Sequence, residues 1–190
     1  MGAFTAVQSN GLTAPPYVFC FIIIIISAFA SDKLHTRGPF VAGNAFIAGI
    51  GFLIMATASS TPVRYFAIFL CSLIFVSVAI ILAWVANNAG TDSKRAGGLW
   101  ILCTGGQCGP LLGTSVFPSS EGPYYRKGMW ICCAFCFFVS LLSTSLSLLL
   151  RRENARRDRI YGKGSGVDAF NETVDAGAQG DDSPTFRYVT

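Results

Sequence analysis

The residues with the clearest potential for chemistry lie within an apolar stretch. Gln107 follows Gly105 and Gly106 inside 25 residues, 96–120, that carry no charge. A carboxamide there is costly unless it faces a polar partner or a wet cavity, and a glycine pair lets a ligand approach the backbone. In a helix, the Pro110 ring presses on the Gly106 carbonyl and frees an acceptor at the same depth. The pattern indicates a ligand cavity, although a hydrogen bond between helices explains Gln107 equally well.

Three further candidates stand at the end of another apolar stretch: Trp84, Asn87 and Asn88. An interfacial tryptophan and helix-terminal asparagines are the simpler interpretation. The functional interpretation is the mouth of a ligand pathway. Asn44, near the start of an earlier apolar stretch, is a weaker candidate of the same kind.

A short charged loop contains Asp32, Lys33, Arg37 and Gly38. Asp32 is able to pair with Arg37 or to cap a neighbouring helix end, which would make the loop a latch, or gate, between helices. The alternative is a solvated loop whose charges only determine the topology.

No metal site, cofactor or enzyme is expected. Cys132, Cys133 and Cys136 have a ligand-like spacing, but they lie in an apolar run without a nearby His, Asp or Glu, and His35 is the only histidine. The sequence shows no Ser/His/Asp grouping, no paired carboxylates and no phosphate-binding glycine loop before a lysine.

Charge distribution predicts a polytopic membrane protein. Residues 1–150 hold only ten of the 24 charged side chains, and five charge-free gaps of 23 to 31 residues separate them. About 20 helical residues cross the hydrocarbon core, and no alternating strand pattern is present. We therefore predict an all-α fold with five transmembrane helices, at residues 12–30, 40–58, 65–86, 96–117 and 129–150.

The positive charges predict the orientation. One side of the five spans carries three Lys or Arg residues and the other carries nine, in residues 31–39, 87–95 and 151–159. The nine-charge side is expected to be cytoplasmic, with the N-terminus opposite. Residues 151–163 form a basic juxtamembrane segment suited to anionic lipid rather than nucleic acid. Residues 164–190 are expected to be a disordered cytoplasmic tail, in which the sequon at Asn171 is unused.

Glycines also recur at every fourth position of the predicted fourth span, at Gly105, Gly109 and Gly113. Such a ridge lets another helix pack closely, and Pro110 lies beside it. Simple helix packing is the main interpretation of this ridge.

Four stretches together resemble the C-terminal part of a major facilitator superfamily carrier, and specifically the fungal allantoate permease-like anion:cation symporters. They are residues 8–18, with Pro-Pro-Tyr before a span, the charged loop 31–38, the Trp-to-Lys-Arg stretch 84–98, and the Gly-Pro helix and following loop 105–128. The resemblance covers about residues 8–160 and identifies the five spans with helices eight to twelve.

The resemblance implies proton-coupled uptake of small organic anions, such as allantoate or vitamin carboxylates, by alternating access in the plasma membrane. It implies that Gln107 with the glycine pair lines the cavity, that Trp84, Asn87 and Asn88 form the inner mouth, and that Asp32 and Arg37 form the gate. It also places the N-terminal half of the carrier outside this sequence, so the chain alone is expected not to transport.

Two departures from the family pattern concern these sites. Lys33 stands where the family has arginine, and Gln107 where it has asparagine. A membrane protein that associates with or regulates another carrier, without transporting, is the alternative, because the glycine ridge suits association.

Overall fold

The computed structural model describes residues 6–118, 122, 124–162 and 186–190, and its regular elements are all helices. They are α1 (Ala6–Leu34), α2 (Gly38–Thr57), α3 (Thr61–Asn87), α4 (Asp92–Gly106), α5 (Cys108–Val116) and α6 (Arg126–Tyr161). The predicted all-α polytopic fold is confirmed. Within the described ranges, four helices are long and apolar enough to cross a membrane: α1 from Asn10, α2, α3 and α6.

The predicted span 96–117 is not one continuous helix. It contains the end of α4 and all of α5, which have 15 and 9 residues and are separated at Gln107. At 1.5 Å per residue, they are about 22 Å and 13 Å long, so neither alone crosses a ~30 Å core. The reason is local: Gly105, Gly106 and Gly109 are poor helix formers, and Pro110 lacks the N–H that would bond the Gly106 carbonyl.

Helix α1 continues through Pro15 and Pro16, and α3 supplies one of the two donors that these prolines lack. Pro16 has no N–H, so the Leu12 carbonyl oxygen loses its usual partner within the helix. The Tyr65 hydroxyl of α3 donates to that oxygen at 3.2 Å. The aromatic ring of Phe69, one turn further along α3, packs edge-on against Phe19 of α1 at 5.7 Å between ring centroids.

Helix α2 is the central element, packed against both α3 and α6. Its buried face consists mainly of glycine and alanine, and small residues let helix backbones approach closely. A Cβ built on Gly51 would lie 2.7 Å from the Cys71 backbone nitrogen of α3. Hydroxyl groups connect the same three helices: Ser77 of α3 donates to the Val41 carbonyl, and Ser140 of α6 donates to the Ala42 carbonyl.

Helix α6 extends well beyond a membrane span. Its 36 residues measure about 54 Å, against a hydrocarbon core of ~30 Å. Residues 151–161, which belong to the predicted basic juxtamembrane segment, continue this helix without interruption. By contrast, α4 and α5 contain no buried residue.

Candidate functional site at the basic end of the bundle

Most of the predicted gate and mouth residues meet at one end of the bundle. Residues 31–38, 84–95, 147–162 and 186–190 come together there, and we call this region the basic end. Its core is the start of α2, where a Cβ on Gly38 would lie 2.6 Å from the Ser147 Cβ of α6 and 3.1 Å from the Trp84 Cη2 of α3. Only glycine fits between these side chains without a shift.

A tight turn after α1 positions Arg37, an arginine of the predicted gate. The Thr36 N–H donates to the Ser31 carbonyl and the His35 N–H donates to the Asp32 carbonyl, both at 3.2 Å. This is the Schellman pattern of helix ends, and it puts His35 at a left-handed φ of 50°. The buried Ser31 hydroxyl closes the turn by donating to the Thr36 carbonyl at 2.9 Å. Arg37 is thereby held beside the end of α1.

Arg37 connects the ends of α1, α2 and α3. Its Nη2 donates to Asp32 Oδ1 at 2.5 Å, which is the ion pair considered from the sequence. When the Asn87 carboxamide is oriented to satisfy both of its groups, its oxygen accepts from Arg37 Nη2 at 3.0 Å and Nε at 3.2 Å, while its nitrogen donates to the Ala83 carbonyl. The Arg37 side chain is 13% exposed and the Asp32 side chain 61%. Lys33, in the last turn of α1, is exposed.

Trp84 and Asn88 bind residues 186–190 rather than lining an open mouth. The Trp84 indole is only 4% exposed, and its Nε1 donates to the Val189 carbonyl oxygen at 2.7 Å. Asn88 donates to that oxygen at 3.0 Å and accepts from the Val189 N–H at 2.8 Å. Residues 186–190 of the predicted disordered tail thus contact the ends of the helices in this structure. The remainder of that predicted tail, 164–185, lies outside the described residues.

The α6 extension forms the other wall of the basic end. Glu153 pairs there with Arg156 at 2.8 Å and Arg157 at 3.3 Å. The hydrogen bond from Arg156 lowers the pKa of the Glu153 carboxyl. Residues 151–159 carry five arginines with Glu153, Asn154 and Asp158 between them, so this wall offers both hydrogen-bond donors and acceptors to a bound segment.

The predicted cavity residues do not join this cluster. Gln107 is exposed at the break between α4 and α5, about 18 Å along the helix from Arg95, whose Nε reaches back to the Ala86 carbonyl of α3. A Cβ on Gly105, Gly106, Gly109 or Gly113 would meet nothing within 4 Å. The glycines of the predicted packing ridge thus meet no second helix within the described part of the chain, and Pro110 beside them is exposed. Asn44 bonds its own helix, donating to the Phe40 carbonyl at 2.8 Å.

An arginine at the opposite end of the bundle was missed as a structural residue. Arg64, in the first turn of α3, is 5% exposed and donates to the Met55 and Ala58 carbonyls at 3.2 Å and 3.4 Å. It thereby satisfies the carbonyls at the end of α2, and it lies 5.1 Å from the Tyr124 ring. Sequence reasoning counted Arg64 only for topology. Its position two residues after Pro62, between two predicted spans, could have indicated a side chain close to the end of the preceding helix.

The cysteines carry free thiols, Cys132, Cys133 and Cys136 included. Among the described residues, no group of three His, Cys, Asp or Glu side chains is arranged to hold a metal ion.

The amino-acid sequence of this bundle resembles those of curated transporters. The chain is similar to fungal major facilitator superfamily (MFS) transporters. It is 30% identical to a high-affinity nicotinic acid transporter of Saccharomyces cerevisiae over 98% of this chain and 35% of that protein. It is also 30% identical to the MFS-type transporter cnsO of Penicillium expansum, over 98% of this chain and 37% of that protein. The major facilitator-type transporter hxnP of Emericella nidulans is 26% identical over 97% of this chain and 38% of that protein.

The chain therefore spans little more than a third of the length of these curated relatives. No protein-family model matches the chain, and no solved structure matches it. The relationship to allantoate permease-like symporters stays a prediction from the motifs.

Proposed function

We propose that this chain is the C-terminal helical part of an MFS carrier that moves a small organic carboxylate across a membrane. The observation that carries the proposal is the match to transporters, which extends over 97–98% of the chain rather than over one motif. These relatives are named as transporters and not as enzymes, which also supports the proposal.

In this proposal, the basic end faces the cytoplasm of a plasma-membrane carrier. The positive-inside rule supports that orientation, since nine of the twelve Lys and Arg residues counted by side belong to that end. Helices α4 and α5 together form the fourth crossing, interrupted at Gln107. Interrupted helices are typical of transporter binding sites, because they expose backbone groups and a polar side chain at mid-membrane.

The open glycine face of α4 and α5 would pack against the rest of the carrier. Nothing in the described chain lies within 4 Å of a Cβ on Gly105, Gly109 or Gly113. An apolar helix without buried residues gains stability when a second bundle covers it, and small residues permit that contact. The Gln107 carboxamide would then border the cavity between the two bundles.

The substrate we propose is an aromatic or ureido carboxylate, with nicotinate as the first candidate because one relative is named as a nicotinic acid transporter. Gln107 can donate a hydrogen bond to a carboxylate but cannot neutralise it. The five predicted spans contain no Asp or Glu and no Lys, Arg or His. A proton-coupling carboxylate and an anion-binding cation would therefore come from the remainder of the carrier.

Arg37 would hold three helix ends together while the two bundles rock. Its bonds to Asp32 and Asn87 join α1, α2 and α3, so these helices would move as one body. Alternating access by rigid-body rocking requires such connections within each bundle.

A chimaera tests this function. The 190 residues replace the matching region of the S. cerevisiae nicotinic acid transporter, and uptake of labelled nicotinate is measured in yeast lacking that transporter. We expect saturable uptake, a loss of about tenfold or more with Gln107→Ala, and no such loss with Gln8→Ala. Surface-expressed chimaera that moves neither nicotinate nor any related carboxylate would contradict the proposal and favour the non-transporting alternative.

A further inference from the structure

Residues 186–190 are held by two asparagines on different helices. Asn88, directly after α3, bonds both backbone groups of Val189, accepting at 2.8 Å and donating at 3.0 Å. Asn154 of α6 bonds both backbone groups of Tyr188, accepting at 3.0 Å and donating at 2.7 Å. Each carboxamide therefore pairs with one residue's N–H and C=O, as a neighbouring strand does in β-augmentation. Two successive residues of an extended segment are recognised through their main chain.

Side chains add selectivity for the segment. Arg157 of α6 lies 5.0 Å above the Tyr188 ring, a cation–π distance. Arg187 donates to Asp158 Oδ1 at 2.7 Å, and its own side chain is only 15% exposed. Phe186 is 7% exposed, so the segment buries an aromatic ring as well as polar groups.

The bound segment also reaches the gate and the bundle core. The Arg37 backbone N–H donates to the Thr190 carbonyl, so the segment contacts the first residue before α2. Val189 packs against the hydrophobic cluster that contains Trp84 and Ile80. The segment thus bridges α2, α3 and α6 and covers Trp84 and Asn88.

We propose that the basic end is a peptide-binding site whose ligand is residues 186–190 of the same chain, and that the bound segment closes the inner mouth. The closing role rests on the proposed transport function, whereas the binding site does not. Tethering gives a ligand segment a local concentration on the order of millimolar, so even a weak site is occupied until the segment is displaced.

Limited trypsin digestion of the purified full chain in detergent tests the binding site, because the Arg187–Tyr188 bond lies inside the segment. Mass spectrometry follows the initial cleavage rate at that bond. Asn88→Ala and Val189→Pro each remove hydrogen bonds to the Val189 backbone, and we expect either to raise the rate about tenfold. Val189→Pro alters the segment and leaves every residue of the helices unchanged. Asn10→Ala, at the far end of α1, is the matched control and should cleave like the wild type.

Equal cleavage rates in the wild type, Asn88→Ala and Val189→Pro would overturn the peptide site. The closing role is measured separately, as the initial rate of nicotinate uptake by the chimaera. Faster cleavage with faster uptake in Val189→Pro supports closure, and faster cleavage with unchanged uptake overturns closure while the site stands. If no chimaera transports, the proposed function fails, and the cleavage rates still decide the peptide site.

Discussion

Replacing Gly38 with alanine should loosen the contact on which the basic end is built. The new Cβ would lie 2.6 Å from Ser147 Cβ and 2.8 Å from Ser147 Oγ, where ordinary contact begins at 3.4 Å. One of the two helices must therefore shift by about 0.8 Å. Overpacking of this kind costs about 1–3 kcal/mol, and we expect Gly38→Ala to lower the free energy of unfolding by about 2 kcal/mol.

The assay is thermal unfolding of the purified chain in detergent, followed by tryptophan fluorescence. Gly43→Ala is the matched control in the same helix, because a Cβ there meets nothing within 4 Å. We expect it to be neutral or stabilising by up to ~1 kcal/mol, since alanine is the better helix former. The Gly38→Ala and Ser147→Gly double variant removes the clashing atoms, so it should recover most of the stability lost by Gly38→Ala.

The reasoning is refuted if Gly38→Ala and Gly43→Ala unfold at the same temperature. It is also refuted if Ser147→Gly gives no recovery, because the double-mutant cycle isolates the contact between these two residues. The Ser147→Gly single variant supplies the fourth corner of that cycle.

Three further comparisons test the turn and the helix connections by the same unfolding assay. Asp32→Ala should lower the free energy of unfolding by less than ~1 kcal/mol, because the carboxylate is largely exposed. Arg37→Ala should lower it by about 1–3 kcal/mol, because it removes bonds to two helices. Equal losses in the two variants would contradict this ranking. His35→Gly should stabilise the protein by about 1 kcal/mol, because glycine adopts the left-handed backbone at φ 50° without strain. His35→Val should destabilise the protein for the opposite reason. The reverse order of stabilities would refute the turn geometry. Tyr65→Phe should lower the free energy of unfolding by about 1 kcal/mol, because it removes the donor to the Leu12 carbonyl that Pro16 leaves free. In the Pro16→Ala background, which restores the N–H, the same substitution should have no effect. An unchanged loss in that background would show that the Tyr65 bond does not substitute for the missing N–H.

The helical spans could be predicted because the bilayer imposes a simple rule. About 20 apolar residues without charge are needed to cross it, and that rule identifies the spans in α1, α2, α3 and α6 from charge spacing alone. The interruption at Gln107 could not be predicted in the same way. Prolines occur in both α1 and α5, yet only the second region breaks. Tyr65 replaces one missing donor in α1, whereas no residue of α5 is buried.

The contacts of the candidate site also differ in whether the sequence could predict them. The Asp32–Arg37 pair was accessible from the sequence, because both residues belong to one short turn. The separate roles of Asn87 and Asn88 were not. Successive residues on a helix point about 100° apart, so one asparagine faces Arg37 and the other faces Val189.

By itself, the sequence determined the all-helical membrane class, the approximate spans and the charge imbalance between the two ends, because these depend on composition counted along the chain. Only the tertiary structure decided that the small residues of α2 form the packed centre, that the glycine ridge of α4 and α5 contacts nothing in the described chain, and that residues 186–190 dock at the basic end. The Asn88–Val189 contact joins residues 101 positions apart. Such a contact exists only where three helices bring their ends together, and no local pattern in the chain encodes it.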